Sequence, residues 1–102
     1  MQKKIIYVDI DETICLTPYI NGQRSYYEAK PLYENIDKIN KLYDDGHKIV
    51  YWTARGSRSG IDWYNLTYSQ LNEWGCKFHL LRNDKPYYDM FIDDKNFRIE
   101  EI

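Results

Sequence analysis

The sequence predicts a single α/β domain, residues 1–102, built on a Rossmann-like, open and mostly parallel sheet. Three observations predict it. Apolar β-branched and aromatic runs alternate with two segments whose apolar residues recur at helical spacing. Three of those runs end in residues able to do chemistry: "IIYVDID", "KIVYWT" and "MFIDD". The chain of 102 residues is the size of one core.

Ile5, Ile6, Tyr7 and Val8 predict the first strand. A continuous apolar run bounded by charge reads as buried on both faces, as in a parallel sheet. Residues 14–30 then make too long a connection for such a unit, where about 2–6 residues are usual. Inside them Asn21–Gly22 is a two-residue hairpin signal flanked by Tyr19, Ile20, Tyr26 and Tyr27, so a small β-hairpin flap follows the first strand. Pro31 opens a predicted helix with Leu32, Ile36, Ile39, Leu42 and Tyr43 on one face, and Gly46 ends it. Residues 48–53 predict a second strand. Residues 61–75 predict a second helix that buries Ile61, Tyr64, Leu71 and Trp74 and stops at Gly75. Strands at 76–81 and 89–94 follow, with a short edge strand at 97–102.

Composition excludes several classes. Hydrophobic residues make up 43% and charged residues 29%, as in a soluble globular protein. A net charge of −2 argues against non-specific nucleic-acid binding, which needs a basic patch. The apolar run at the N-terminus is broken by Asp9, too early for a signal peptide or a membrane span. Cys15 and Cys76 lack metal-ligand spacing and read as small buried thiols, so a cytoplasmic location is expected. His47 and His79 read as structural; Arg55 and Arg58, beside Thr53, could add phosphate or sugar-phosphate contacts but read first as solvated.

The acids ask for an explanation. Asp9 and Asp11 alternate at a strand end, so their side chains can point the same way. Asp93 and Asp94 end another apolar run. In open α/β sheets ligands bind beyond the carboxyl ends of the strands. If the first and fourth strands are neighbours, these carboxylates converge, and hard oxygen ligands favour Mg²⁺. Thr53 and the amides after it, from Ala54 towards Gly56, offer an anion site.

In order along the chain, "IIYVDIDET" (Asp9, Asp11, Thr13), "KIVYWT" (Thr53), Lys85 and "MFIDD" (Asp93, Asp94) resemble the four motifs of the haloacid dehalogenase-like (HAD) superfamily. The segment "KPYYDMFIDDK" also resembles small phosphatases of polysaccharide or capsule biosynthesis. Glu12 and Asp84 depart from the pattern, standing where Gly or Asn, and Gly, are common. The resemblance implies a HAD-like core and a Mg²⁺-dependent phosphomonoester hydrolase working through an aspartyl-phosphate, on a small phosphorylated metabolite such as a sugar phosphate. It implies Asp9 as nucleophile, Asp11 as proton shuttle, and Lys85 as the cation that neutralises phosphate and nucleophile. Thr53 and the Ala54 amide would bind phosphoryl oxygens. Asp9, the Asp11 carbonyl, Asp93 and Asp94 would hold the metal. Neither gap between motifs has room for a cap domain, so a capless site is expected, open to large substrates or roofed by a second subunit. The flap residues Tyr19, Arg24, Tyr26 and Tyr27 could contact the leaving group or simply pack the flap.

Other readings fit less well. A response-regulator receiver would need an acceptor Asp after the third strand, where "KFHLLRN" stands. A polynucleotide-end phosphatase suits an open site but not the acidic balance. A phosphomutase or phosphonatase would need the cap. A non-catalytic phosphate-binding module on the same fold would be expected to lose Asp9, Asp11 or Lys85. A small-molecule phosphate ester is the expected partner, with no membrane and a possible homo-oligomer.

Overall fold

The computed structural model, which describes residues 2–102, is an α/β fold around a three-stranded parallel sheet. The sheet is ordered β1 (Ile5–Val8), β6 (Lys48–Trp52), β7 (Leu80–Arg82). Helices α1 (Tyr33–Asp44) and α2 (Tyr64–Glu73) make the two crossovers. Between β1 and α1 lie four two-residue strands: β2 (Cys15–Leu16) pairs with β5 (Lys30–Pro31), and β3 (Tyr19–Ile20) pairs with β4 (Gln23–Arg24).

The flap is as expected from Asn21–Gly22. Both residues take positive φ, +51° and +79°, which lets a two-residue turn follow the natural strand twist. No separate cap domain is present among the described residues. Pro31 is not in α1. It pairs with Cys15 in the flap's base, so the helix starts at Tyr33 instead. Ile36 and Ile39 face the core, and Gly46 closes α1 at φ +101°.

The core joins Val8, Ile10, Ile14, Ile36, Ile39, Ile49, Tyr51, Leu71, Trp74 and Leu81. Cys15 and Cys76 are buried there, and burial pushes their thiols up to about 12 and about 11, so both are inert packing groups at neutral pH. The histidines are structural too. His47 Nδ1 accepts the Lys4 N–H at 3.1 Å, and His79 Nδ1 accepts the Ile49 N–H at 3.0 Å.

Five further expectations are corrected. β1 is an edge strand, so Ile5 and Tyr7 are exposed and only Val8 is fully buried. Ile61 is exposed, because α2 begins three residues later. The third strand starts at Leu80, since the His79 side chain takes the ladder position ahead of it. The predicted strand at 89–94 does not form, and residues 97–102 contain a 3₁₀ turn (Ile99–Glu101) rather than an edge strand.

Candidate active site

Three strand ends assemble the site. Asp9 follows β1, Thr53 follows β6, and Lys85 lies just beyond β7. The strands are parallel neighbours, so these exits share one edge of the sheet. The Lys85 N–H donates to the Thr53 carbonyl at 3.2 Å, which pulls Lys85 across β6 towards β1. Its Nζ then lies 3.4 Å from Asp9 Oδ1. The ammonium also lies 5.5 Å and 5.3 Å from the ring centroids of Trp52 and Tyr88. Rings on its flanks keep it partly dry and strengthen its field at Asp9.

A tight turn aims the first two acids. The Thr13 and Ile14 N–H groups both donate to the Ile10 carbonyl, and the Glu12 N–H donates to the Cys15 carbonyl. Ile10 is driven into the core with no exposure, leaving Asp9 and Asp11 on either side of it partly open. Glu12 carries φ +65°, the left-handed region that suits Gly or Asn better than a longer side chain.

The two carboxylates sit in opposite fields. Burial raises the Asp9 carboxyl above its ordinary value, an effect the Lys85 ammonium and the Ile10 N–H only partly offset. Burial would raise Asp11 as well, but hydrogen bonds and charge from Arg55, with the Thr17 hydroxyl, hold it below the usual carboxylate range. Asp11 is thus held as a carboxylate, and any proton it takes up is taken up against Arg55.

Arg55, expected to be solvated, is instead fully buried. Its Nε donates to Asp11 Oδ2 at 3.0 Å and its Nη2 to Asp11 Oδ1 at 2.8 Å. Thr17 Oγ1 adds a 2.5 Å bond to Asp11 Oδ1. Arg24, whose Nη1 also bonds Glu12, donates to the Thr17 carbonyl at 2.7 Å. Sequence reasoning missed Thr17, and it weighed Arg55 only as a phosphate contact or a solvated side chain, missing its grip on Asp11; closeness to Thr53 in "WTARG" was the only signal. Arg58 is exposed, as expected, and stacks on Tyr87.

Thr53 is buried and its hydroxyl accepts the Arg55 N–H at 3.1 Å, an ST-type turn. A hydroxyl can accept and still donate, so this turn is compatible with a bond to a phosphoryl oxygen. Ala54 is half-buried at the start of the same turn. Gly56 is required there: φ is +86°, and a Cβ would lie 2.1 Å from the Ile61 carbonyl oxygen.

Asp93 and Asp94 are not brought to this cluster. They stand exposed on a segment without regular structure, because no strand forms at 89–94 beside β1. Among the described residues no group of three His, Cys, Asp or Glu side chains is placed to hold an ion. The expected four-residue cage is therefore reduced to Asp9 and Asp11. With the Asp11 carboxylate taken by Arg55 and Thr17, Asp9 and the Asp11 carbonyl are the oxygens that could hold an ion such as Mg²⁺, which can complete its shell with water and substrate phosphate.

The chain matches no family model and no curated protein. It is similar to the crystal structure of an MCSG target from Vibrio cholerae, with a TM-score of 0.79 and 23% identity over 98% of this chain and 86% of that one. At that identity the likeness speaks for the fold alone.

A cavity of about 500 Å³ lies between the flap and the Ile61–Trp63 segment, walled by Tyr26, Tyr27, Trp63 and Ile61 with Gln23, Arg24 and Glu28 at its polar side; Asp9 and Asp11 do not line it. Trp63 meets Tyr26 and Tyr27 edge-on, at centroid distances of 5.1 Å and 5.3 Å. No helix among the described residues is long and apolar enough to cross a membrane.

Proposed function

We propose that this chain is a Mg²⁺-dependent phosphomonoester hydrolase of HAD type that works through an aspartyl-phosphate. The observation that carries the proposal is the contact of Lys85 Nζ with the partly open, partly desolvated Asp9 carboxylate, 3.4 Å apart at the shared strand edge. A carboxylate can attack a phosphate dianion only where cations cancel the repulsion, and Lys85 supplies one such charge.

Asp9 would form the bond to phosphorus as the bond to the leaving oxygen breaks, with a proton passing from Asp11 to that oxygen. Water would then attack phosphorus, giving its proton to Asp11 and freeing Asp9 and inorganic phosphate. The Arg55 fork would keep Asp11 ionised and free to accept that proton, and would make its protonated form the stronger acid in the first step. Thr53 and the Ala54 amide would hold the transferring oxygens. Mg²⁺, held by Asp9 with the Asp11 carbonyl, would supply further charge neutralisation when bound.

The flap cavity supports a small phosphorylated metabolite such as a sugar phosphate as substrate. Aromatic walls pack against a ring, and Gln23 and Glu28 can bond its hydroxyls. The resemblance to polysaccharide-biosynthesis phosphatases is in accord with that class.

The test is p-nitrophenyl phosphate hydrolysis with Mg²⁺ or with EDTA, followed by a sugar-phosphate panel. Wild type should turn over only with Mg²⁺, and Asp9→Asn should fall by at least about 10³-fold while staying folded. Near-wild-type activity in Asp9→Asn would remove the nucleophile assignment. One observation favours a second reading, a non-catalytic phosphate-binding module: Asp93 and Asp94 stand exposed. Phosphate binding without turnover on any member of the panel would favour it.

A further inference from the structure

Arg55 has more partners than its bond to Asp11 requires. Its side chain has no exposure, and each of its nitrogens donates. Besides the two bonds to Asp11, Nη1 donates to Thr67 Oγ1 at 3.1 Å and to Gln70 Oε1 at 2.7 Å. Nη2 also reaches Cys15 Sγ at 3.9 Å. The Arg55 guanidinium carbon lies 4.7 Å from the Tyr26 ring centroid. Gln70, held by Arg55 through its oxygen, donates from Nε2 to the Tyr26 carbonyl at 2.6 Å. Thr67 and Gln70 are buried, one turn apart on α2.

One cation therefore grips three things: the Asp11 carboxylate, the inner face of α2, and the flap at Tyr26. We propose that Arg55 is the positioning residue of this site and couples the flap to Asp11. The planar fork fixes the plane of the Asp11 carboxylate, and Gln70 with the Tyr26 ring fixes where the flap rests on that same fork. A shift of the flap at Tyr26 loosens Asp11, and loss of the Asp11 carboxylate loosens the flap. Lysine could not replace it, since a point charge has no fork and too few directed donors to serve three partners. The catalytic half of this inference rests on the proposed phosphatase reading; the coupling of flap to Asp11 does not.

The experiment uses the full chain and four variants: Arg55→Lys, Gln70→Leu, Asp11→Asn, and Leu71→Val as a control that loosens α2 away from the site. Hydrogen exchange of the flap amides, residues 15–30, reads the coupling without any turnover. Gln70→Leu and Asp11→Asn should each speed flap exchange several-fold beyond Leu71→Val at matched global stability. Kinetics on p-nitrophenyl phosphate read the positioning. Arg55→Lys should lower kcat by about 10²-fold and Gln70→Leu by about tenfold, with KM within about twofold. Flap exchange in Asp11→Asn no faster than in the control would overturn the coupling, whether or not the chain is a phosphatase. Faster flap exchange in Arg55→Lys with unchanged kcat would overturn the positioning role. An inactive wild type with the flap coupling intact would sink the phosphatase reading alone.

Discussion

Residues 5–15 and residues 89–94 each set an apolar run against a pair of acids, yet Ile10 is 0% exposed while Ile92 is 89% exposed. The first run, though it lies at the sheet's edge, has partners along β6 and in the core beneath. β1 pairs with β6 in register from Ile5–Lys48 to Val8–Tyr51, and Ile10 and Ile14 insert among Ile36, Ile49 and Leu71. Asp11 ends that run inside a network of directed donors. The second run has none of this: Met90 and Ile92 face water and Asp93 and Asp94 with them. An apolar run followed by acids states a local preference, and the neighbours that accept it decide whether it becomes a site.

The comparison is broken or sharpened first by truncating the same residue type in both regions. Ile10→Ala should destabilise the protein by about 4 kcal/mol in urea unfolding, since it leaves a cavity in the core. Ile92→Ala should change stability by less than about 0.5 kcal/mol. A cost above about 2 kcal/mol at Ile92 would mean that the late segment packs in solution.

Asp11→Asn comes next. It strands the fully buried Arg55 and should cost about 3 kcal/mol at pH 7, the low end for such pairs because Asp11 keeps some contact with water. The pH dependence has a definite sign. Asp11 titrates below its ordinary 3.8 in the fold, so its contribution is complete above that value and is lost as pH falls through the folded one. The gap between wild type and Asp11→Asn should therefore narrow as pH falls below Asp11's ordinary 3.8. Asp9 is raised, so its charge opposes folding once pH exceeds its folded value, and Asp9→Asn in EDTA should melt higher than wild type at pH 7.

A smaller effect separates backbone from charge at Glu12. Glu12→Ala and Glu12→Gly both lose the Arg24 bond, but only Gly suits φ +65° without strain. The alanine variant should be the less stable of the two by about 1 kcal/mol. The smallest effect is expected at Asp93. The Mg²⁺ concentration that gives half-maximal rate should stay within about threefold in Asp93→Asn, as for an exposed carboxylate outside the site. A loss of 100-fold would show the late segment closing on the site when ion or substrate binds.

Much of this was legible in the sequence. The helices announced themselves through Ile36, Ile39 and Leu71 and through the glycines that end them, because helical periodicity and C-terminal glycine are local properties. The hairpin at Asn21–Gly22 was equally local, since only certain residues accept two successive positive φ angles. Asp9, Thr53 and Lys85 were legible because each stands at or just beyond the end of an apolar run, and parallel strands bring such ends to one edge.

Tertiary structure alone decided the rest. Whether Ile92 finds a neighbouring strand is a matter of what lies beside β1, and nothing in "DMFIDD" encodes it. Nor could the letters "TAR" show Arg55 turned inward, because its burial is made tolerable only by Asp11, Thr67 and Gln70, which arrive from three other parts of the chain. The sequence by itself determined the elements and the residues at their ends. The packing decided which of those ends face one another, since a buried charge is stable only where distant partners meet it.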